Sequence, residues 1–146
     1  MTLVERATGS NVFWKERSVR RKSSDELEDI PNAFSISMSV SGGKSSKDAP
    51  VVDTTVEVSV SNPSLELKYV VTYRFYFAND SEPPPEEEVD TFMREHGIGY
   101  ALGVVNGALV SDTTAFRVKP LSIPINAYDE VRKLIPQRPS DQGRHL

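Results

Sequence analysis

The stretch AFSISMSVSGG, Ala33–Gly43, alternates without exception over Phe34–Ser41. Phe34, Ile36, Met38 and Val40 fall on one side, and Ser35, Ser37, Ser39 and Ser41 on the other. A helix repeats every 3.6 residues and a strand every two, so only a strand separates these two sets. The pattern recurs in VVDTTVEVSV, where Thr54, Val56, Val58 and Val60 oppose Thr55, Glu57 and Ser59. It recurs again in LELKYVVTYRFYF, where Leu65, Leu67, Tyr69, Val71, Tyr73, Phe75 and Phe77 share a face. Asn62-Pro63-Ser64 marks a turn between the last two. Short connections make antiparallel neighbours. One face of such a sheet can meet water; the other needs a cover that so few strands cannot supply themselves.

The cover has to come from the second half of the chain. Pro83, Pro84 and Pro85 stop the sheet, and Glu86, Glu87 and Glu88 suit the positive end of a helix. Val89, Phe92 and Met93 then give i, i+3, i+4 spacing, so a short amphipathic helix is expected over Glu86–His96, with Gly97 as its stop. The following segment, GIGYALGVVNGALVSDTTAF, supports two readings. Asn106-Gly107 between apolar residues is a hairpin signal, and Val104, Val105 and Val110 favour strands. Against this, Gly99, Gly103 and Gly107 recur every four residues, a helical stripe that would let another element approach closely. The residues alone leave hairpin and helix level. After it, Pro120 and Pro124 forbid a helix, and Leu121, Ile123 and Ile125 alternate as an extended apolar strip; AYDEVRKLI can form a last helical turn or two.

At the other end, Val12, Trp14 and Val19 suggest a short, imperfect strand leading into the basic run Arg20-Arg21-Lys22, expected to sit in water at a strand end or to meet an acidic partner. DELEDIPN reads as an acidic connector and GGKSSKDAP as a loop. Residues 1–10 and 136–146 read as disordered, leaving 11–135 as one domain. The fold class expected is α+β: a four-stranded antiparallel sheet followed by a short acidic helix and a longer apolar C-terminal helix.

Several function classes are excluded or disfavoured. The chain has no cysteine, so thiol chemistry, disulfides and zinc thiolates are absent. A net charge of −4 argues against a general nucleic-acid binder. Asp112 and Asn106 interrupt the apolar run too early for a membrane span. MTLVERATGS carries Glu5 and no apolar core, so it does not read as a signal peptide, and a cytoplasmic location is expected. Gly97-Ile98-Gly99 lacks the spacing of a dinucleotide loop, and Gly43-Lys44-Ser45 lacks the earlier glycine of a P-loop. His96 at a helix end and His145 in the tail offer no base held near a nucleophile. No enzyme, cofactor or metal site is expected.

The order of pieces resembles the SecB-type chaperone family, especially its divergent members associated with toxin–antitoxin modules. PPPEEEVDTFMREHGIGYAL is similar to the family's acidic helix and aromatic lead-in, and KPLSIPI to the proline-led apolar strip after its long helix. VEVSVSNPSLELKYVVTYRFYF resembles its paired central strands. The likeness covers Asn11–Asn126. The chain departs from the family at Leu102–Gly107, where an aromatic-proline-tyrosine-arginine step is usual, and its tail from Pro136 does not resemble a SecA-docking tail.

The resemblance implies an ATP-independent holdase that binds non-native polypeptide through exposed apolar grooves, with an antitoxin or pre-secretory protein as client and a place in protein transport or toxin–antitoxin control. It implies a homotetramer, a dimer of dimers, with long helices packed between subunits; this favours the helix for the glycine segment and puts Gly99, Gly103, Gly107 and Val110 at an oligomer interface. Neither nucleic acid nor membrane insertion is implied. Client contact calls for exposed aromatic and adaptable side chains. Candidates are Tyr76, Phe92, Met93, Tyr100, Leu121, Ile123 and Ile125, with Phe92 and Met93 read equally as contacts between helix and sheet. Tyr69, Tyr73, Phe75 and Phe77 are expected in the core. Two other classes stay open: a structural or assembly protein of a mobile element that binds one fixed partner, and a small-ligand-binding α+β domain.

Overall fold

The computed structural model of the protein describes residues 3–23, 33–44, 50–78, 84–133 and 135. The acidic connector from Asp25, the tip of the GGKSSKDAP loop and the tail from Pro136 lie outside the described residues. Four strands, β1 (Ala7–Arg21), β2 (Ala33–Lys44), β3 (Pro50–Ser61) and β4 (Leu65–Phe77), form one antiparallel sheet in the order β1-β4-β3-β2. Strand β1 thus pairs with β4 rather than with its neighbour in sequence, which is a Greek-key order. The alternation read from the sequence is the register observed: Ile36 opposes Val58, Val58 opposes Tyr69, and Met38, Val56 and Val71 align across the sheet. The turn between β3 and β4 is held by Asn62, whose Oδ1 accepts the Ser64 and Leu65 amides at 2.8 and 2.6 Å.

Strand β1 is longer than its sequence suggests. Its ladder slips at Lys15, so that Val12 and Trp14 face the same side as Arg17, Val19 and Arg21. The extra residue reverses the parity of the pattern, which hides the strand from a period-two reading. Ahead of it, Leu3–Arg6 forms a helical turn, α1, that buries Leu3, and Ala7–Ser10 open β1. The composition of residues 1–10 did not signal this structure.

The cover is one long helical run: α2 (Glu86–Phe92), a π-helical turn (Met93–Gly97) and α3 (Ile98–Ala115). Gly97 does not stop the helix. It keeps helical angles, φ −60° and ψ −40°, and a Cβ there would collide with the Met93 thioether. The glycine segment is therefore helix, ~27 Å long for α3. Its Ile98, Ala101, Leu102, Val105, Ala108 and Leu109 pack on the inner row of β3 and β4, where Val56, Val58, Tyr69 and Val71 are wholly buried. Phe92 stands edge-on to Phe75 and Phe77, with centroids at 4.9 and 5.2 Å.

Helix α3 ends in a Schellman motif. Val118 N–H reaches the Thr113 carbonyl and Arg117 N–H reaches that of Thr114, with Arg117 left-handed at φ 58°. The chain then runs extended to Pro124 and closes with α4 (Ile125–Arg132). Ile125 is thus the first residue of a helix rather than the end of the apolar strip. Among the described residues, no helix is long and apolar enough to cross a membrane.

Candidate functional site

The order of strands leaves β2 as a free edge among the described residues. Its inner row, Phe34, Ile36, Met38 and Val40, is only half-buried because α3 lies over β3 and β4. Helix α4 reaches the β2 edge without closing on it. Between them runs an open groove of about 420 Å³, walled by Phe34 and Ile36 on one side and by Pro124, Ala127 and Val131 on the other, with Asn126 and Glu130 at its rim.

The wall formed by α4 is anchored through residues 119–124, a strap without a ladder partner. Two side chains of α3 take that role. Thr113 Oγ1 donates to the Leu109 carbonyl at 2.7 Å and accepts the Leu121 amide at 3.1 Å. Asn106 Oδ1 accepts the Ile123 amide at 2.6 Å. The acceptors face the alternate amides of an extended chain, which turns Leu121 and Ile123 into the core and leaves Ser122 and Pro124 outward. Asn106, a candidate turn residue by sequence, is instead the strap's anchor.

The candidate client residues are spread over several places. Leu121, Ile123, Phe92 and Met93 are buried within the chain. Ile125 is 86% exposed beside Pro124 at the start of α4. Tyr76 is half-buried on the outer face of β4, away from the helices. Tyr100 is 59% exposed and stands over Tyr73 and Phe75, with centroids at 6.2 and 6.1 Å, two strands from the groove. Phe34, Ile36, Ala127 and Val131 were not singled out as groove residues from the sequence. The β2 alternation places Phe34 and Ile36 on the apolar face, but whether a strand is central or an edge is not written in its own residues.

A second surface faces outward from α3. A Cβ at Gly99, Gly103 or Gly107 would meet nothing within 4 Å among the described residues, so the stripe is turned away from the sheet. Val110 and Tyr100 flank it, and Val12, Phe13 and Trp14 are similarly exposed on β1, the other free edge.

Basic residues of β1 hold α3 against the sheet. Arg17 grips Asp112 with two hydrogen bonds of 3.1 and 2.8 Å, and the Tyr69 hydroxyl donates to the same carboxylate at 2.9 Å. The Arg17 hydrogen bond, helped by that of Tyr69, holds the Asp112 carboxyl below the usual range against the opposing effect of burial. Burial, followed by the bond to Asp112, pushes the Tyr69 phenol well above its ordinary value. Arg21 donates to the Phe116 carbonyl at 2.9 Å and lies over the Phe116 ring, capping the negative end of α3. Arg20 pairs with Glu66, and Lys22 donates to Ser61. The basic run is therefore engaged inside the chain. Among the described residues there is no cluster of three or more potential metal-ligating side chains.

No family model matches the chain, and no curated protein matches it by sequence. The fold is similar to a solved one. It is similar to the SecB-like chaperone Rv1957 of Mycobacterium tuberculosis, solved in complex with a ChAD peptide from the Rv1956 HigA1 antitoxin. The two share a TM-score of 0.58 at 12% identity over 84% of this chain and 92% of that one. A protein of unknown function from Streptococcus agalactiae aligns at a TM-score of 0.46 and 9% identity, over 81% of this chain and 100% of that one. The antiparallel sheet and the long helix after it make a divergent SecB-like α+β fold, similar to that of Rv1957.

Proposed function

We propose that the protein is an ATP-independent chaperone that holds non-native polypeptide in the groove between β2 and α4. The observation that carries this reading is the groove itself. It is largely apolar, about 420 Å³, open to solvent, and bordered by a strand edge that is unpaired among the described residues. An extended client can pair its backbone with β2 while alternate side chains enter between Phe34, Ile36 and Val131. Ile125, exposed beside Pro124, extends the apolar surface beyond the groove. The structural neighbour was solved in complex with an antitoxin peptide, and an antitoxin segment is favoured here among the non-native chains that the groove would hold. The site needs no nucleotide or metal, and the reading is of a non-enzymatic, cytoplasmic protein.

We assign the outward stripe of Gly99, Gly103 and Gly107, with Val110, to contact between copies of the chain, in a tetramer built as a dimer of dimers. The apolar surface that Tyr100 and Val110 of α3 and Val12, Phe13 and Trp14 of β1 leave exposed supports this.

Suppression of aggregation tests the function. The wild-type protein, without ATP, is expected to keep several chemically unfolded proteins soluble at stoichiometric ratios. Phe34→Glu with Ile36→Glu should reduce that capacity at least tenfold with the far-ultraviolet spectrum unchanged, since a charge placed in an apolar groove opposes binding. Failure to suppress aggregation of any client refutes the reading; suppression untouched by the double substitution moves the site elsewhere.

A further inference from the structure

The run from Glu86 to Ala115 is α-helical except in one turn. Over Met93–Gly97 the Ile98 amide reaches back to the Met93 carbonyl, one residue further than in an α-helix. Such a turn persists only where its surroundings determine it. Here three contacts do so. Met93 is wholly buried, and its sulfur accepts a hydrogen bond from Thr54 Oγ1 at 3.1 Å. Gly97 leaves the space that the Met93 thioether occupies. The third contact comes from the wall of the groove: Arg132, in the last turn of α4, donates Nε to the Arg94 carbonyl at 3.2 Å. Its neighbour Val131 is buried and lines the groove.

We infer that the groove and the π turn form one linked element, with Arg132 as the positioning residue between them. A segment seated against Pro124, Ala127 and Val131 bears directly on α4. Movement of α4 withdraws Arg132 from Arg94 and releases the π turn toward a regular α-helix. Removing one residue from the turn rotates α2 about its axis by ~100° relative to α3. Occupancy of the groove is thereby passed to the acidic helix on the far side of the turn. The trigger rests on the client-holding reading above, whereas the link between Arg132 and the turn belongs to the free protein. The physical requirement for such coupling is an element with two arrangements that both sites bias, and the π turn is that element.

The orientation of α2 against α3 tests both parts. The chain has no cysteine, so spin labels can be placed at Glu87→Cys on α2 and Ser111→Cys on α3, both exposed, and their separation read by pulsed electron resonance. In the free protein, Arg132→Ala should add a second distance population displaced by several ångströms, since a ~100° turn of α2 carries a surface label around the helix. Arg132→Lys should act in the same direction, because it keeps the charge without the planar Nε donor. Arg132 also pairs with Asp129 at 3.1 Å, so Asp129→Asn serves as the control and should keep the wild-type distribution. One shared distribution in the wild type and both Arg132 variants overturns the link. In the second arm, reduced and carboxymethylated α-lactalbumin, a permanently unfolded chain, is added to the labelled protein. Binding with the second population supports relay from the groove, and binding with the distribution unchanged overturns it. Absence of binding refutes the client reading, with the link still decided by the first arm.

Discussion

Asp112 is where the covering helix is tied to the sheet, and its replacement gives a worked test of how the fold is held. In Asp112→Ala two partners lose their acceptor. The Tyr69 residue is wholly buried, and its hydroxyl would be left without the carboxylate it now reaches at 2.9 Å. A hydrogen bond to a charged acceptor contributes about 1.5–3 kcal/mol. The Arg17 side chain is 42% exposed, so its ion pair is screened and adds no more than about 1 kcal/mol. The sum is ~1.5–4 kcal/mol, read as a fall in the urea midpoint at unchanged slope. Arg17→Ala alone should cost under ~1 kcal/mol. The effect also has a pH signature. The folded-state pKa of Asp112 is lowered, so the ionised carboxyl stabilises the fold fully above its unfolded value of ~3.9 and the contribution fades as pH falls below that. The gap between wild type and Asp112→Ala should therefore be constant from about pH 6 to 8 and narrow below about pH 4. A cost under ~0.5 kcal/mol at neutral pH, or a gap that widens in acid, refutes the assignment of Asp112 as the tie.

Three further outcomes follow from single positions. Arg117→Gly should stabilise the protein by ~0.5–1 kcal/mol in thermal or urea unfolding, since Arg117 holds φ 58° at the end of α3 where glycine adopts that angle without steric cost; destabilisation would show that the arginine side chain matters more than the backbone. Asn106→Ala should speed exchange of the Ile123 amide about fivefold while global stability changes little, because the lost strap bond is offset by better helix propensity; an unchanged Ile123 rate would remove Asn106 as the anchor. A Cβ at Gly103 has open space within 4 Å, so Gly103→Leu should leave the far-ultraviolet spectrum intact while lowering the mass seen by light scattering; a tetramer that persists unchanged would take the stripe out of the interface.

Much of the fold is legible in the amino acids because it depends on local period. The inner rows of β2, β3 and β4 alternate without interruption, and their register follows once the rows are matched. The acidic helix start at Glu86–Glu88 and the Asn62 turn are equally local. Strand β1 escaped full recognition because a bulge at Lys15 reverses its parity, and no residue type announces such a bulge. Gly97 looked like a stop because glycine often ends helices. Its role depends on Met93, a neighbour one turn earlier whose thioether needs the space.

The glycine segment shows the division most directly. Its residues held two local instructions, the Asn106-Gly107 turn and the stripe of Gly99, Gly103 and Gly107. Propensity differences of about 1 kcal/mol per residue could not choose between them. Burial of Leu102, Val105 and Leu109 against the sheet favours the helix, and Asn106 then finds a partner in the Ile123 amide. Which faces are apolar follows from the amino acids alone, because period is a property of the chain. That β2 is an edge among the described residues, that α4 stops short of it, and that Leu121 and Ile123 turn inward while the groove opens beside them came from the packing of distant elements. Edges and grooves are made by the order in which distant strands meet, and that order is set by the summed packing of the whole core rather than by any one segment.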